Sequence, residues 1–203
     1  QFGLKELRSV TAAAMVPFGV ATAGFAVGRF GFELFQETTV AIGAGTYIDE
    51  GIAVGGTFNL VRISFERYGS TTTPEFDVGA LVDIADGLHL GFQWKNVTAA
   101  TVGGAGETLA QSQDVGMCYE FSEASRIAIE LEKDIRFPFS IKAGYEQWFL
   151  QMLSLRFGVA SNPDKFSLGL GVSFAGLEFS YAGYSHAQLG WTHQIELSFK
   201  LDR

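Results

Sequence analysis

Apolar and polar residues alternate one by one through most of this chain, and that period of two constrains its fold more than any other feature. Phe166, Leu168, Leu170, Val172 and Phe174 occupy one phase, while Ser167, Gly169, Gly171 and Ser173 occupy the other. The same pattern runs through Leu153 to Val159, Phe139 to Glu146, Ile127 to Glu132, Val115 to Phe121, Leu88 to Lys95 and Gln194 to Leu201. Successive side chains on a strand point to opposite faces. Each segment therefore predicts a strand with one apolar and one polar face.

Composition narrows the alternatives. The chain has 203 residues, enough for one domain, with 25 Gly, 19 Phe and only 4 Pro. Glycine at that level weakens helix interiors, and no stretch approaches the ~20 consecutive apolar residues of a membrane helix. The apolar face is aliphatic or aromatic in nearly every segment. The polar face mixes small and charged residues, as the wall of a lumen would. Segments of about 9–11 residues suit a tilted membrane crossing. The expected fold is all-β, an antiparallel transmembrane β-barrel of about 12–14 strands forming a single domain over residues 1–203. The alternation slips once: Ile52, Val54, Phe58 and Leu60 share a phase, and Val61, Ile63 and Phe65 take the other. A β-bulge, or a strand leaving the membrane, accounts for such a slip.

Connections carry a second signal. Asp49-Glu50-Gly51, Asp86-Gly87, Ser122 to Ser125, Phe149 to Gln151 and Ala175-Gly176 read as tight turns. Between them lie longer connections: Arg67 to Pro74, Val97 to Gln111, Asp134 to Pro138, Ser161 to Lys165 and Tyr184 to Trp191. Short periplasmic turns and longer outer loops alternate this way in outer-membrane barrels. Counting back from the C-terminus gives roughly thirteen strands, the earliest near Leu7 to Met15 and Val20 to Phe30. Single-chain barrels usually have an even number with both termini periplasmic. We therefore expect a leader and at least one strand upstream of Gln1, about fourteen strands in all.

The net charge of −8 argues against nucleic acid, since phosphate binding needs a basic field. The single cysteine, Cys118, excludes an internal disulfide and a cysteine-based zinc site. Of the histidines, His186 follows Ser185 in the Tyr184 to Trp191 connection; a loop histidine beside a serine is common and nearest neighbours point apart, so no nucleophile–base pair is expected. His193 falls in the lipid-facing phase, and His89 points inward near a turn as a hydrogen-bond partner. No metal or cofactor is expected, because no pair of histidines has ligand spacing and no glycine run forms a phosphate loop.

Two groups of residues stand out. Glu130, Glu132, Lys142, Glu146, Arg156, Glu178, Glu196 and Lys200 all fall in the polar phase of neighbouring strands. An unpaired buried charge is expensive, so they form either a salt-bridge network packing the lumen or the wall of a polar conduit. Trp94, Tyr145, Trp148, Tyr181 and Trp191 fall mostly near strand ends, where an aromatic girdle meets the membrane interface.

Several short motifs resemble a known group. They are Ile129-Glu130-Leu131-Glu132-Lys133-Asp134, Lys142-Ala143-Gly144-Tyr145-Glu146, Leu155-Arg156-Phe157-Gly158 and Ser161-Asn162-Pro163. Phe166 to Gly171, Ser180-Tyr181-Ala182, Leu189 to His193 and Gly87 to Phe92 extend the set. Together they resemble outer-membrane barrels related to the long-chain fatty-acid transporters, nearest to the PorV/PorQ proteins associated with type IX secretion. Members usually carry an Asn-Pro-Ala-Gly segment before the barrel strands, and no such tetrapeptide occurs here. The PorV resemblance implies a non-enzymatic anchor or assembly component, partnered by the lipid bilayer and by other outer-membrane or secreted surface proteins. Val97 to Gln111 is then the flexible outer segment expected to order on a partner. The fatty-acid-transporter resemblance implies instead a transporter or channel for small hydrophobic or amphipathic solutes.

Overall fold

The computed structural model describes residues 8–103, 106–186 and 190–200. The first six strands are β1 (Ser9–Phe18), β2 (Ala21–Gly31), β3 (Phe35–Asp49), β4 (Ile52–Phe65), β5 (Gly69–Ala85) and β6 (Leu88–Lys95). A two-residue ladder, β7 (Thr101–Val102) with β8 (Glu107–Thr108), interrupts the series. The remainder are β9 (Ser112–Ser122), β10 (Ser125–Asp134), β11 (Ser140–Phe149), β12 (Leu153–Ala160), β13 (Lys165–Phe174), β14 (Leu177–His186) and β15 (Gly190–Phe199). All but β7 and β8 join one thirteen-stranded antiparallel sheet in sequence order. The sheet is an up-and-down meander whose two edges are β1 and β15, which are not hydrogen-bonded to each other. Among the described residues the earliest strand begins at Ser9; Leu7 and Leu201 lie outside them.

The two ends of the meander differ. At one end the connections are two or three residues, such as 86–87 and 175–176. Ala175 and Gly176 both adopt positive φ, 49° and 78°, the conformation that two-residue hairpin loops favour. Gly87 combines a φ of 72° with a tight approach, since a Cβ there would lie 2.6 Å from the carbonyl oxygen of Glu120. At the other end the connections are mostly three to five residues, with 96–111 the exception. Two of the longer connections expected from composition are shorter here. Residues 67–74 reduce to 66–68 because β5 runs out to Gly69, and 184–191 narrows to the residues between His186 and Gly190.

Burial is inverted relative to a water-soluble domain. Among the described residues Val61, 5% exposed, is the only buried apolar side chain. Outward side chains such as Ile129, Phe157 and Leu168 remain 41–48% exposed on the face away from the charges. A contiguous apolar surface of this extent is unstable in water and is what a lipid-facing wall presents. No helix of the described residues is long and apolar enough to cross a membrane.

The phase slip near Leu60 and Val61 is not a bulge. Pairing of β4 with β3 and with β5 runs through both residues without a register shift. The chemistry of the faces changes instead. Below this level Val40, Ile42, Leu60 and Phe76 face outward. Above it the outward residues are Thr38, Arg62, Ser64, Ser70 and Thr72, and Arg62 Nη2 donates to Ser70 Oγ at 3.0 Å. Val61, Ile63 and Phe65 turn inward with Phe35, whose ring lies 5.2 Å from that of Phe65. β3, β4 and β5, with 15, 14 and 17 residues, thus outrun a bilayer crossing. The register shifts that do occur, at Tyr47/Asp49, Asp83/Ala85 and Ser125/Arg126, lie at the turn end.

Candidate functional site

The polar phase of the strands forms the inner wall, and its residues can be followed across the sheet by register. Glu120, Arg126, Glu146, Arg156 and Gly169 pair in succession from β9 to β13. Arg156 is the hub of this row. Its Nε donates to Glu146 Oε2 at 2.5 Å, its Nη2 to Glu178 Oε1 at 3.0 Å and its Nη1 to Ser180 Oγ at 3.1 Å. Arg126 Nη2 reaches Glu146 Oε1 at 2.8 Å. Such forked, charge-assisted contacts fix geometry as well as charge. Gly169 makes room for the hub, since a Cβ there would stand 3.1 Å from Arg156 Cβ.

A second group sits closer to the loop end. Lys142 Nζ lies 2.7 Å from Glu130 Oε1 and also contacts Glu132 Oε2. Asp114 completes it, and single oxygens of Asp114, Glu130 and Glu132 lie within 4.8 Å of one another. Three converging carboxylates are a plausible cation cradle in outline, but the Lys142 ammonium already sits against two of them. Lys95 approaches Asp114 at 4.0 Å.

Of the eight charged residues picked out by phase, Glu130, Glu132 and Lys142 form the upper group, and Glu146, Arg156 and Glu178 the lower. Glu196 lies on the edge strand β15 opposite Ser180, and Lys200 follows β15; both are exposed and form no ion pair among the described residues. Sequence reasoning missed Arg126, at a register shift, and Asp114. It also missed the cluster on β4 and β5, where Asn59 Nδ2 donates to Asp77 Oδ2 at 2.8 Å and to Glu75 Oε1 at 3.2 Å. The phase of Glu75 and Asp77 with Gly79 is the signal that marks them.

The aromatic residues divide. Tyr145 faces outward toward the turn end, donating its hydroxyl to Gln147 Oε1 at 2.7 Å. Trp191 faces outward at the loop end of β15 and is 48% exposed. Trp94 faces outward on β6, half-buried beside Val78. Tyr181 is the fifth residue of β14, well inside the strand, and its hydroxyl is 2.6 Å from His193 Nδ1 on the same outward face. That bond gives each polar group a partner in a location without water. Trp148 corrects the expectation of an interface residue. It shares the inward phase of Glu146, donates Nε1 to Glu146 Oε1 at 2.9 Å and has the Arg156 guanidinium 6.0 Å from its ring. Tyr184 likewise faces inward, with Lys165 Nζ 5.6 Å from its ring.

The long connection also departs from expectation. Val97 to Gln111, in the sequence a flexible outer segment, is in its described part fastened to the inner wall, together with Asn96. Asn96, fully buried, donates its backbone N–H to Asp77 Oδ1 at 2.8 Å and accepts from the N–H of Ala100 at its side-chain oxygen, also at 2.8 Å. Gln111 Nε2 donates to Asn96 O at 2.8 Å. Inward-facing Thr73 donates its hydroxyl to Thr101 O at 3.0 Å. Gly104 and Ala105, also part of that segment, lie outside the described residues.

Residues weighed for chemistry take structural places. His89 Nδ1 is 2.6 Å from Asp83 Oδ1 on the inner face near a turn. Ser185 belongs to β14, where its hydroxyl bonds the backbone of Phe166; the His186 side chain lies outside the described residues. Cys118 is a half-buried free thiol on the inner face.

No family profile matches the sequence, and no curated protein matches it. The PorV/PorQ and fatty-acid-transporter resemblance therefore rests on its short motifs alone. Solved structures do match. A protein described as the CymD monoaromatic hydrocarbon channel superposes with a TM-score of 0.61 at 12% identity, over 93% of this chain and 84% of that one. A mutant of the Rh. blastica porin gives a TM-score of 0.50 at 11% identity, over 94% of this chain and 89% of that one. At such identities the likeness establishes the β-barrel fold.

Proposed function

We propose that this chain is a bacterial outer-membrane β-barrel that conducts small hydrophobic or amphipathic solutes across the bilayer. The observation that carries this reading is the inner wall. Glu75 and Asp77 face inward with no cationic partner among the described residues. Both side chains remain part-exposed on the inner face, where water satisfies the oxygens that Asn59 and Asn96 leave free, and we read the lumen as a wet path. Part of that wall on β2 to β5 is small and uncharged: Ala26, Gly28, Ala41, Gly43, Gly55 and Gly79 share its inward phase. Glycine and alanine leave space and offer nothing to hold a polar solute. That mixture suits amphipathic cargo, and the likeness to a channel described as passing monoaromatic hydrocarbons points the same way.

The anchor reading loses ground on one observation. A segment that orders on its partner is free beforehand, and the one long connection among the described residues is already fastened inward through Asn96 and Thr101. The bilayer is then the principal partner, with other outer-membrane or secreted proteins a secondary proposal. Purified protein in liposomes tests the channel. Entry of a small aromatic solute above protein-free vesicles is expected; neither flux nor conductance overturns the reading.

A further inference from the structure

The charges of the inner wall are unevenly distributed. On β6 and β9 to β14 most bases are matched by acids: Lys95 faces Asp114, Lys142 lies between Glu130 and Glu132, and Arg126 and Arg156 share Glu146, while one base, Lys165, and one acid, Glu120, form no ion pair among the described residues. On β1 to β5 the inward phase holds four carboxylates, Glu37, Glu75, Asp77 and Asp83, and no lysine, arginine or histidine. Asp83 is engaged by His89. Glu37, Glu75 and Asp77 have no cation within ion-pair reach among the described residues; Asn59 is the neutral donor that bridges the last two. All three lie in the loop-end half of β3 and β5. There the same inner face turns apolar: Glu37 pairs with Ile63, and Phe35 with Phe65.

We infer that the conduit is cation-selective and that its cargo class is the small organic cation with an apolar body. Carboxylates lining a low-dielectric passage raise the local concentration of cations and repel anions. Most positive groups of the opposite wall are held by their own partners; Lys165 and Lys200 form no ion pair among the described residues, and the equally unpaired Glu120 and Glu196 offset them, so the field of the carboxylates is not cancelled. The neighbouring aromatic rings offer contact to an apolar body, and their faces attract a cation. A neutral hydrocarbon gains nothing from the carboxylates, and an aromatic anion is rejected by them.

This inference rests on the channel reading, and the experiment separates the two. The full chain is reconstituted in a planar bilayer under a KCl gradient, and the reversal potential is read. Liposome flux is then compared for benzyltrimethylammonium and benzenesulfonate, permanently charged probes with the same ring. A reversal potential of the sign for K+ preference is expected, with benzyltrimethylammonium entering several-fold faster. Replacing both carboxylates, Glu75→Gln with Asp77→Asn, moves the reversal potential toward zero while current persists. Current with no charge preference, or with preference for chloride, overturns the selectivity and leaves the channel standing. A bilayer that passes neither current nor probe overturns both. If the double variant does not fold, Glu37→Gln is read by the same shift, and the wild-type reversal potential alone still decides.

Discussion

Arg156 is the residue on which the inner wall depends most. It joins β11, β12 and β14 through Glu146, Glu178 and Ser180, and Glu146 is the most enclosed member, its side chain 9% exposed. Removing one partner of a buried pair leaves the other charge uncompensated, at a penalty of about 3–5 kcal/mol when burial is complete. The Arg156 side chain is 35% exposed, so screening lowers the expectation for Arg156→Met to about 1–3 kcal/mol. Urea unfolding of protein refolded into vesicles measures it, and an unchanged midpoint means that the network contributes nothing to stability. Arg156→Lys keeps the charge but loses the fork, and an intermediate value is expected. The phase of Glu146, Arg156 and Glu178 was legible from alternation alone. Arg126, at the start of β10, shares the parity of Glu130 and Glu132 and was equally legible. Trp148 was misplaced although its parity with Glu146 was in plain sight. The habit of aromatic rings to gather at strand ends outweighed a stricter rule, that residues two apart share a face.

At the scale of elements, the phase slip in β4 locates the membrane boundary. One continuous strand carries apolar side chains outward up to Leu60 and inward from Val61. Lipid covers the outer face below that level and water covers it above. An arginine at Ile42, outward and within the apolar band, is expected to destabilise by about 2–4 kcal/mol if it sits near the midplane. An arginine at Thr72, on the polar side of the boundary, is expected to change stability by less than about 1 kcal/mol. Equal effects in the same urea assay place the boundary elsewhere. The alternation supplied the strands and their count because each side of a lipid-facing sheet has one chemistry. It could not separate a bulge from an exit, since both reverse the phase, and only the register distinguishes them. The 96–111 connection was opaque for a related reason: its glycines and threonines describe a loop, while its position is decided by Asp77, Thr73 and Asn96, far apart in sequence. Asn96→Ala removes the side-chain acceptor for Ala100 and loosens that fastening. Faster cleavage within 97–110 by added protease is expected, together with altered single-channel conductance. A protease pattern like that of the wild type shows that the segment is held by other contacts.

At the scale of the whole molecule, the chain is an inside-out amphiphile, and its three tryptophans report on that. Trp191 faces outward, on the face of Tyr181 and Ile195 and beside Gly183, whereas Trp148 faces inward between Glu146 and Arg156. They lie on strands of one continuous sheet, so a soluble sandwich and a barrel in lipid make opposite assignments. In a sandwich the apolar face is the dry core, and Trp191 is shielded from every quencher in the medium. In a barrel Trp191 touches acyl chains and Trp148 touches the water of the lumen. Two variants with the other tryptophans replaced by phenylalanine isolate each signal. In vesicles of brominated lipid, Trp191 fluorescence is expected to be quenched and Trp148 fluorescence to persist. Aqueous acrylamide is expected to reach Trp148, which faces the lumen and is part-exposed there. Quenching of Trp148 by the brominated chains reverses the assignment of the two faces. Protection of Trp148 from both quenchers means a dry, packed lumen, which removes the wet path that the proposed channel and its charge selectivity both require.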